Sequence, residues 1–250
     1  EANCCHIRLY LLITHPLLDM TTVDEEWTPC SKMLFENKIQ SPALILASTH
    51  NSLNFSNNYL AEELAGHFVA QMEIADIIKK PFAQLPLKDI QAKPSRQLTL
   101  LSPRPVGSCP LPTSSKSIGV SGCNGRQQVT IPDYCSRVRV DQPEGVIVMA
   151  DEVAWHMSSK RLRTAVERTL VWFTEQVAIM KDDGTMASGR SLFAVVVGGP
   201  HCGKEHVERQ VQAYIEGGAT GLVIGGLGQG ETLQERHTFI QMVRGMAEGR

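Results

Sequence analysis

The 250 residues carry a formal net charge of −2, with 42% hydrophobic and 20% charged side chains. That composition belongs to a globular chain long enough for one large domain or two small ones; it excludes a disordered tail and offers no global basic field for nucleic acid. The 7 cysteines, odd in number and without a C-x-x-C pair, read as reduced thiols rather than a disulfide framework or a zinc quartet.

The apolar run Leu9 to Leu18 is broken by Thr14, His15 and Pro16. It falls far short of the roughly 20 residues a membrane span needs, and it lacks the charged head and cleavage site of a secretory signal. The sequence starts at Glu1 rather than Met and stops at Gly249-Arg250 straight after a helical pattern, so both ends read as cuts and a piece of a longer protein is expected.

In chain order, residues 1–40 show no clean period beyond a candidate edge strand in CCHIRLYLLITHPLLDM. Ala43 to Ala47 is a compact strand entered through Pro42. Asn57 or Asn58 can cap a helix in which Leu60, Leu64, Phe68, Met72 and Ala75 recur at helical spacing until Pro81 stops it. Residues 81–117 hold seven of the 13 prolines with many Ser, Lys and Arg, and read as a flexible Pro/Ser-rich insertion.

From Ser117 the chain alternates at Ile118 and Val120, turns through Gly122 to Gly125, and continues as a strand from Gln128 to Ile131. The pattern then becomes regular. A buried strand in GVIVMADE precedes a helix over Lys160 to Lys181, with Leu162, Ala165, Val166, Thr169, Phe173, Val177 and Met180 on one face. A strand over Phe193 to Val197 precedes a helix over His206 to Glu216, closed by Gly217-Gly218. A strand over Leu222 to Ile224 precedes a helix over Thr232 to Glu248.

Consecutive strand–helix units with unbroken apolar strands imply an α/β fold with a parallel sheet, either a (β/α) barrel or a doubly wound open sheet. In both, ligands bind at the carboxyl ends of the strands. Those ends carry Asp151-Glu152, Gly198-Gly199 and Gly225-Gly226.

Asp151 is a candidate to accept hydrogen bonds from a purine-like base or to serve acid–base chemistry, against the plainer reading of a loop acid or helix cap. Gly225-Gly226, within GGLGQGE, would let backbone approach a flat ligand, although a tight turn wants the same residues. GGPHCGK from Gly198 to Lys204 has the spacing of a phosphate-binding loop, but Glu205 stands where Ser or Thr would hold magnesium and Pro200 removes an amide. His201 and His206 do not have the spacing of a helical metal pair, and Lys160, Arg161, Arg163 and Arg168 form a basic helical face that reads as solvated, with contact to phosphates or an acidic partner as the alternative.

Taken together, VTIPDYCSRVRVDQPEGVIVMADEV, RLRTAVERTLVWFTE, LFAVVVGG and GATGLVIGGLGQGET resemble, in order and spacing, the queuine/archaeosine tRNA-ribosyltransferases over about residues 128–245. The resemblance implies a TIM (β/α)8 barrel, here an incomplete one forming a single partial domain over 1–250. It implies a fold that exchanges a guanine of the tRNA anticodon for queuine, with Asp151 recognising the base and the backbone at Gly225 and Gly226 touching it. Catalytic members carry D-S-G-G-F-Q ahead of the Asp151 strand, where SSKSIGVSGCNGRQQV stands here, and the glutamine of their Q-G-G is Val197. Their nucleophilic aspartate and their zinc ligands correspond to positions beyond Arg250, so no cofactor is expected in this chain.

The pattern is most like that of the non-catalytic accessory subunit 2, and no catalytic residue is expected. That implies a heterodimer with a catalytic queuine tRNA-ribosyltransferase subunit, contact with tRNA through the complex, and a place in the cytoplasm or on the mitochondrial outer membrane. The alternatives are an active base-exchange enzyme and an unrelated barrel enzyme that binds a phosphorylated small molecule.

Overall fold

A strand that is apolar at consecutive positions has to be covered on both faces. In the computed structural model three such runs are covered: β7 (Gly145–Ile147), β8 (Ser191–Val196) and β9 (Gly221–Ile224) are buried at every position. The structure describes residues 13–14, 44–47, 68–73, 98–104, 111, 113–122, 125–185, 190–227 and 229–248.

These strands lie in a seven-stranded sheet with β1 (Ile13–Thr14), β2 (Leu44–Ala47), β3 (Phe68–Glu73) and β4 (Leu98–Ser102). Pairing runs parallel from β2 through β3, β4, β7 and β8 to β9, and β1 lies antiparallel on β9. Among the described residues the parallel strands follow one another in chain order with no reversal, so this part of the sheet has no topological switch point of the doubly wound kind. Right-handed crossovers between such strands place every connecting helix on the same side. Among the described residues the sheet is open, with β1 and β2 at its edges.

The connection from β4 to β7 carries an antiparallel hairpin, β5 (Ser117–Gly122) with β6 (Gly125–Thr130), and then α1 (Ile131–Asp141). The strand expected from Gln128 to Ile131 ends at Thr130, and a helix not expected from the sequence follows. Its signal is local: Thr130 caps the first turn and exchanges hydrogen bonds with Asp133, with Pro132 inside the turn and Tyr134, Cys135 and Val138 buried at helical spacing.

α2 (Ser159–Asp182), α3 (Lys204–Gly217) and α4 (Leu233–Glu248) then cover the sheet in order. Phe173 of α2 meets Tyr214 of α3 edge to face with centroids 4.8 Å apart. The helices approach closely because Gly217 has no Cβ to strike the Phe173 ring, and Gly218, at φ +91°, ends α3 in the left-handed conformation.

Two expectations fail in the amino-terminal half. The helix expected from Leu60 to Ala75 is crossed by β3, whose Phe68–Glu73 backbone pairs in parallel on both sides. Phe68, Val69 and Ala70 are consecutive apolar residues, which suit a doubly covered strand as well as a helix face, so periodicity cannot separate the two. The remainder of that expected helix lies outside the described residues.

Nor is 81–117 an insertion throughout: Leu98–Ser102 is an interior strand between β3 and β7. Near its other end, Trp172 of α2 donates to Ser115 O at 3.1 Å. Pro94 and Pro103 bracket the short strand and hide it in a proline-rich composition.

Tyr134, fully buried, reaches from α1 to two strand ends, with its hydroxyl 3.0 Å from Leu101 O and 2.6 Å from Ile147 O. Burial pushes its phenol well above the ordinary range, so it is a neutral donor at any working pH. Tyr134→Phe should lower unfolding free energy by about 1–3 kcal/mol, the cost of stranding buried polar groups, with an unchanged denaturant slope in urea unfolding.

Candidate functional site

A parallel strand that runs out of neighbours leaves amides and carbonyls to satisfy, and here the helices supply them. Gln176 of α2 accepts from Met149 N at 2.8 Å and donates to Met149 O at 3.4 Å. Gln210 of α3 does the same for Val197, accepting at 3.0 Å and donating at 3.0 Å. Tyr214 donates to Val195 O at 2.9 Å. Each glutamine lies within the helix that follows its own strand, so two successive strand–helix units end in the same clamp.

Two residues past Met149, Asp151 is fully buried. Its N–H donates to Thr169 Oγ1 at 3.0 Å, which fixes the backbone. Its carboxylate receives both Arg161 terminal nitrogens, at 2.8 and 2.7 Å, Arg168 Nη1 at 2.7 Å, and the Thr113 hydroxyl at 2.7 Å. Four charge-assisted bonds use the accepting capacity of a carboxylate. Burial works against its charge, but hydrogen bonds from Arg161 and Thr113 and the charges of both arginines prevail, and the pKa lies below the usual aspartate value.

Half of the basic face of α2 is therefore spoken for: Arg161 and Arg168 turn toward the mouth, while Lys160 and Arg163 stay exposed. To accept a base, Asp151 would have to give up one of these partners.

The glycine pairs face a flat group, and that group belongs to the chain. Trp155, 2% exposed, sits where a Cβ on Gly199 would collide with its ring. A Cβ on Gly226 would strike Val153 O and stand 3.2 Å from Trp155 Nε1. The indole donates to Gly225 O at 3.2 Å and meets Phe239 of α4 edge to face at 4.9 Å. Gly226 N donates to Glu152 Oε2 at 3.3 Å. At φ +58° for Gly199 and +79° for Gly226, the backbone takes conformations that a side chain would strain. Backbone groups expected to meet a ligand at Gly225 and Gly226 thus meet Trp155 and Glu152.

The GGPHCGK turn forms no phosphate cradle. Pro200–Cys202 is a short 3-10 turn, and Cys202 packs against Gly198. Glu205 places its carboxylate beside Gly203, 2.6 Å from where a Cβ would be. His201 pairs with Glu235 at 3.1 Å. Among the described residues no three His, Cys, Asp or Glu stand together to hold a metal.

One expected correspondence shifts. SSKSIGVSGCNGRQQV forms the β5–β6 hairpin, outside the main sheet. The strand preceding β7 in the sheet is β4, whose carboxyl end reads Leu101-Ser102-Pro103-Arg104. No aspartate stands there either. Trp155, Gln176, Gln210 and Arg104 were all missed in the sequence. The one available signal was a polar glutamine at an inward helical position, Gln176 between Phe173 and Val177 and Gln210 beside Val211.

Asp151→Asn should cost roughly 2–3 kcal/mol, less than stranding fully buried charges because Arg161 and Arg168 keep contact with solvent. A depressed folded pKa stabilises fully above the unfolded aspartate value, near pH 4, and that contribution is lost as pH falls through the folded value. Urea unfolding between pH 2 and 7 should show wild-type stability rising with pH through this acid range more steeply than Asp151→Asn.

No helix among the described residues is long and apolar enough to cross a membrane. No curated protein sequence matches the chain significantly. Residues 111–249 match the family model of queuine tRNA-ribosyltransferase, over a span that begins ahead of the hairpin and ends at the last helix. More than half of the chain is thereby covered, with β7, β8, β9 and the mouth inside it, and the chain belongs to the queuine tRNA-ribosyltransferase family.

Proposed function

We propose that this chain is a non-catalytic accessory subunit of a eukaryotic tRNA-guanine transglycosylase, which supports exchange of guanine for queuine at the anticodon wobble position by pairing with a catalytic subunit. The observation that carries the reading is the occupied mouth. Asp151 is saturated by Arg161, Arg168 and Thr113, and Gly225 and Gly226 are covered by Trp155 and Glu152.

Covalent glycosyl transfer needs a nucleophile and an acid–base group converging on one sugar carbon. Beyond the end of β7 the acids are Asp151 and Glu152, and both are engaged within the chain. Asp151, Gly225 and Gly226 are, in this reading, a retired base pocket whose ligand has been replaced by side chains. The barrel itself is part of the proposal: parallel strands in unbroken chain order are what a barrel wall requires, and closure would come from strands outside the described residues. In this reading the chain itself holds no zinc, and tRNA would be met through the complex.

Transfer of labelled guanine into tRNA tests the reading. The chain alone should give no exchange above background. Added to a catalytic queuine tRNA-ribosyltransferase subunit, it should co-purify with that subunit and raise its exchange rate several-fold. Exchange by the chain alone would overturn the proposal.

A further inference from the structure

A second feature at the strand ends has no place in the base pocket. Arg104 stands two residues beyond β4, and β4 lies between β3 and β7. The residue is 5% exposed, and none of Nε, Nη1 and Nη2 finds a hydrogen-bond partner. Its backbone is held: Ser102 Oγ donates to Arg104 O at 2.8 Å and accepts from Arg104 N at 3.4 Å.

A guanidinium cannot relieve burial by losing its proton, unlike a lysine or a histidine. Its charge must be answered by an acceptor, and the acids beyond the end of the neighbouring β7 are already committed. Asp151 is taken by two other arginines, and Glu152 accepts from Gly226 N. Beyond the adjoining end of β7, Arg161 and Arg168 are directed at Asp151 and remain 29% and 22% exposed at their side chains. Five N–H donors in a planar fork, desolvated and unanswered, match the oxygen geometry of a phosphate.

We propose that Arg104 anchors an anion site at the carboxyl end of β4 that takes the phosphate group of a ligand, either free phosphate or a phosphate of an RNA backbone. Carboxyl ends of parallel strands are where such folds place their ligands. The site does not depend on the accessory-subunit reading, because it concerns a residue outside the retired base pocket.

Thermal unfolding of the full chain tests it, with inorganic phosphate replacing chloride at constant ionic strength, in wild type, Arg104→Met and Arg104→Lys. Phosphate should raise the wild-type Tm in a saturable way. Arg104→Met should lose that response while keeping a phosphate-free Tm at or above wild type, since an unanswered buried charge has been exchanged for an apolar chain of similar length. Arg104→Lys keeps the charge without the fork and should bind phosphate at least tenfold more weakly.

A second arm uses a short RNA oligonucleotide with hydroxyls at both ends, so that only backbone phosphates are present. Binding weakened tenfold or more by Arg104→Met, and competed by inorganic phosphate, assigns the site to an RNA backbone. A response to inorganic phosphate alone assigns it to a free phosphate. Equal phosphate responses in wild type and Arg104→Met, no wild-type response to either probe, or a phosphate-free Arg104→Met that melts well below wild type would each overturn the proposal.

Discussion

The carboxylate of Asp151, buried between two guanidiniums and a hydroxyl, joins three parts of the chain that are far apart in sequence. It follows the β7 strand, it turns Arg161 and Arg168 of α2 inward, and it holds Thr113, which precedes the β5–β6 hairpin. Such a charge is tolerated inside a protein only when its partners are complete. Completeness here has a chemical consequence: an acid with every acceptor site used is a structural group and has little left to offer a ligand.

The same economy governs the rest of the mouth. Trp155 packs on Gly199 and Gly226, donates to Gly225, and leans on Phe239, so one side chain links the ends of β8 and β9 to α4. The glycines are needed because an indole lies against their backbone, the same steric demand that a planar base would make. Below this layer, Gln176 and Gln210 complete the strand ends with paired hydrogen bonds. Family membership and an occupied mouth are compatible, because the order of the strands does not depend on what fills their ends. Arg104 differs, since all three of its guanidinium nitrogens are buried without a hydrogen-bond partner.

The carboxyl-terminal half of the fold was legible because its strands are apolar throughout and its helices carry a clear 3.6-residue face. Ser191–Val196 and Gly221–Ile224 differ from the expected bounds by a residue or two. α1 was also signalled, by Thr130, Pro132 and Asp133, but the preceding β-like run masked it. β3 and β4 were not legible, the first because Phe68-Val69-Ala70 fits both periods, the second because prolines dominate its surroundings. At the mouth, sequence spacing placed Asp151, Gly225 and Gly226 at the correct ends of strands. It could not show that Arg161, Arg168 and Trp155 turn toward them, since the direction of a side chain depends on packing that spacing does not encode.

The central claim is that the mouth is filled from within. Equilibrium dialysis of labelled guanine against the purified chain tests this most directly. The account predicts no saturable binding at concentrations up to the solubility of the base. Saturable binding of one guanine per chain, abolished by Asp151→Asn in a variant that remains folded, would contradict it.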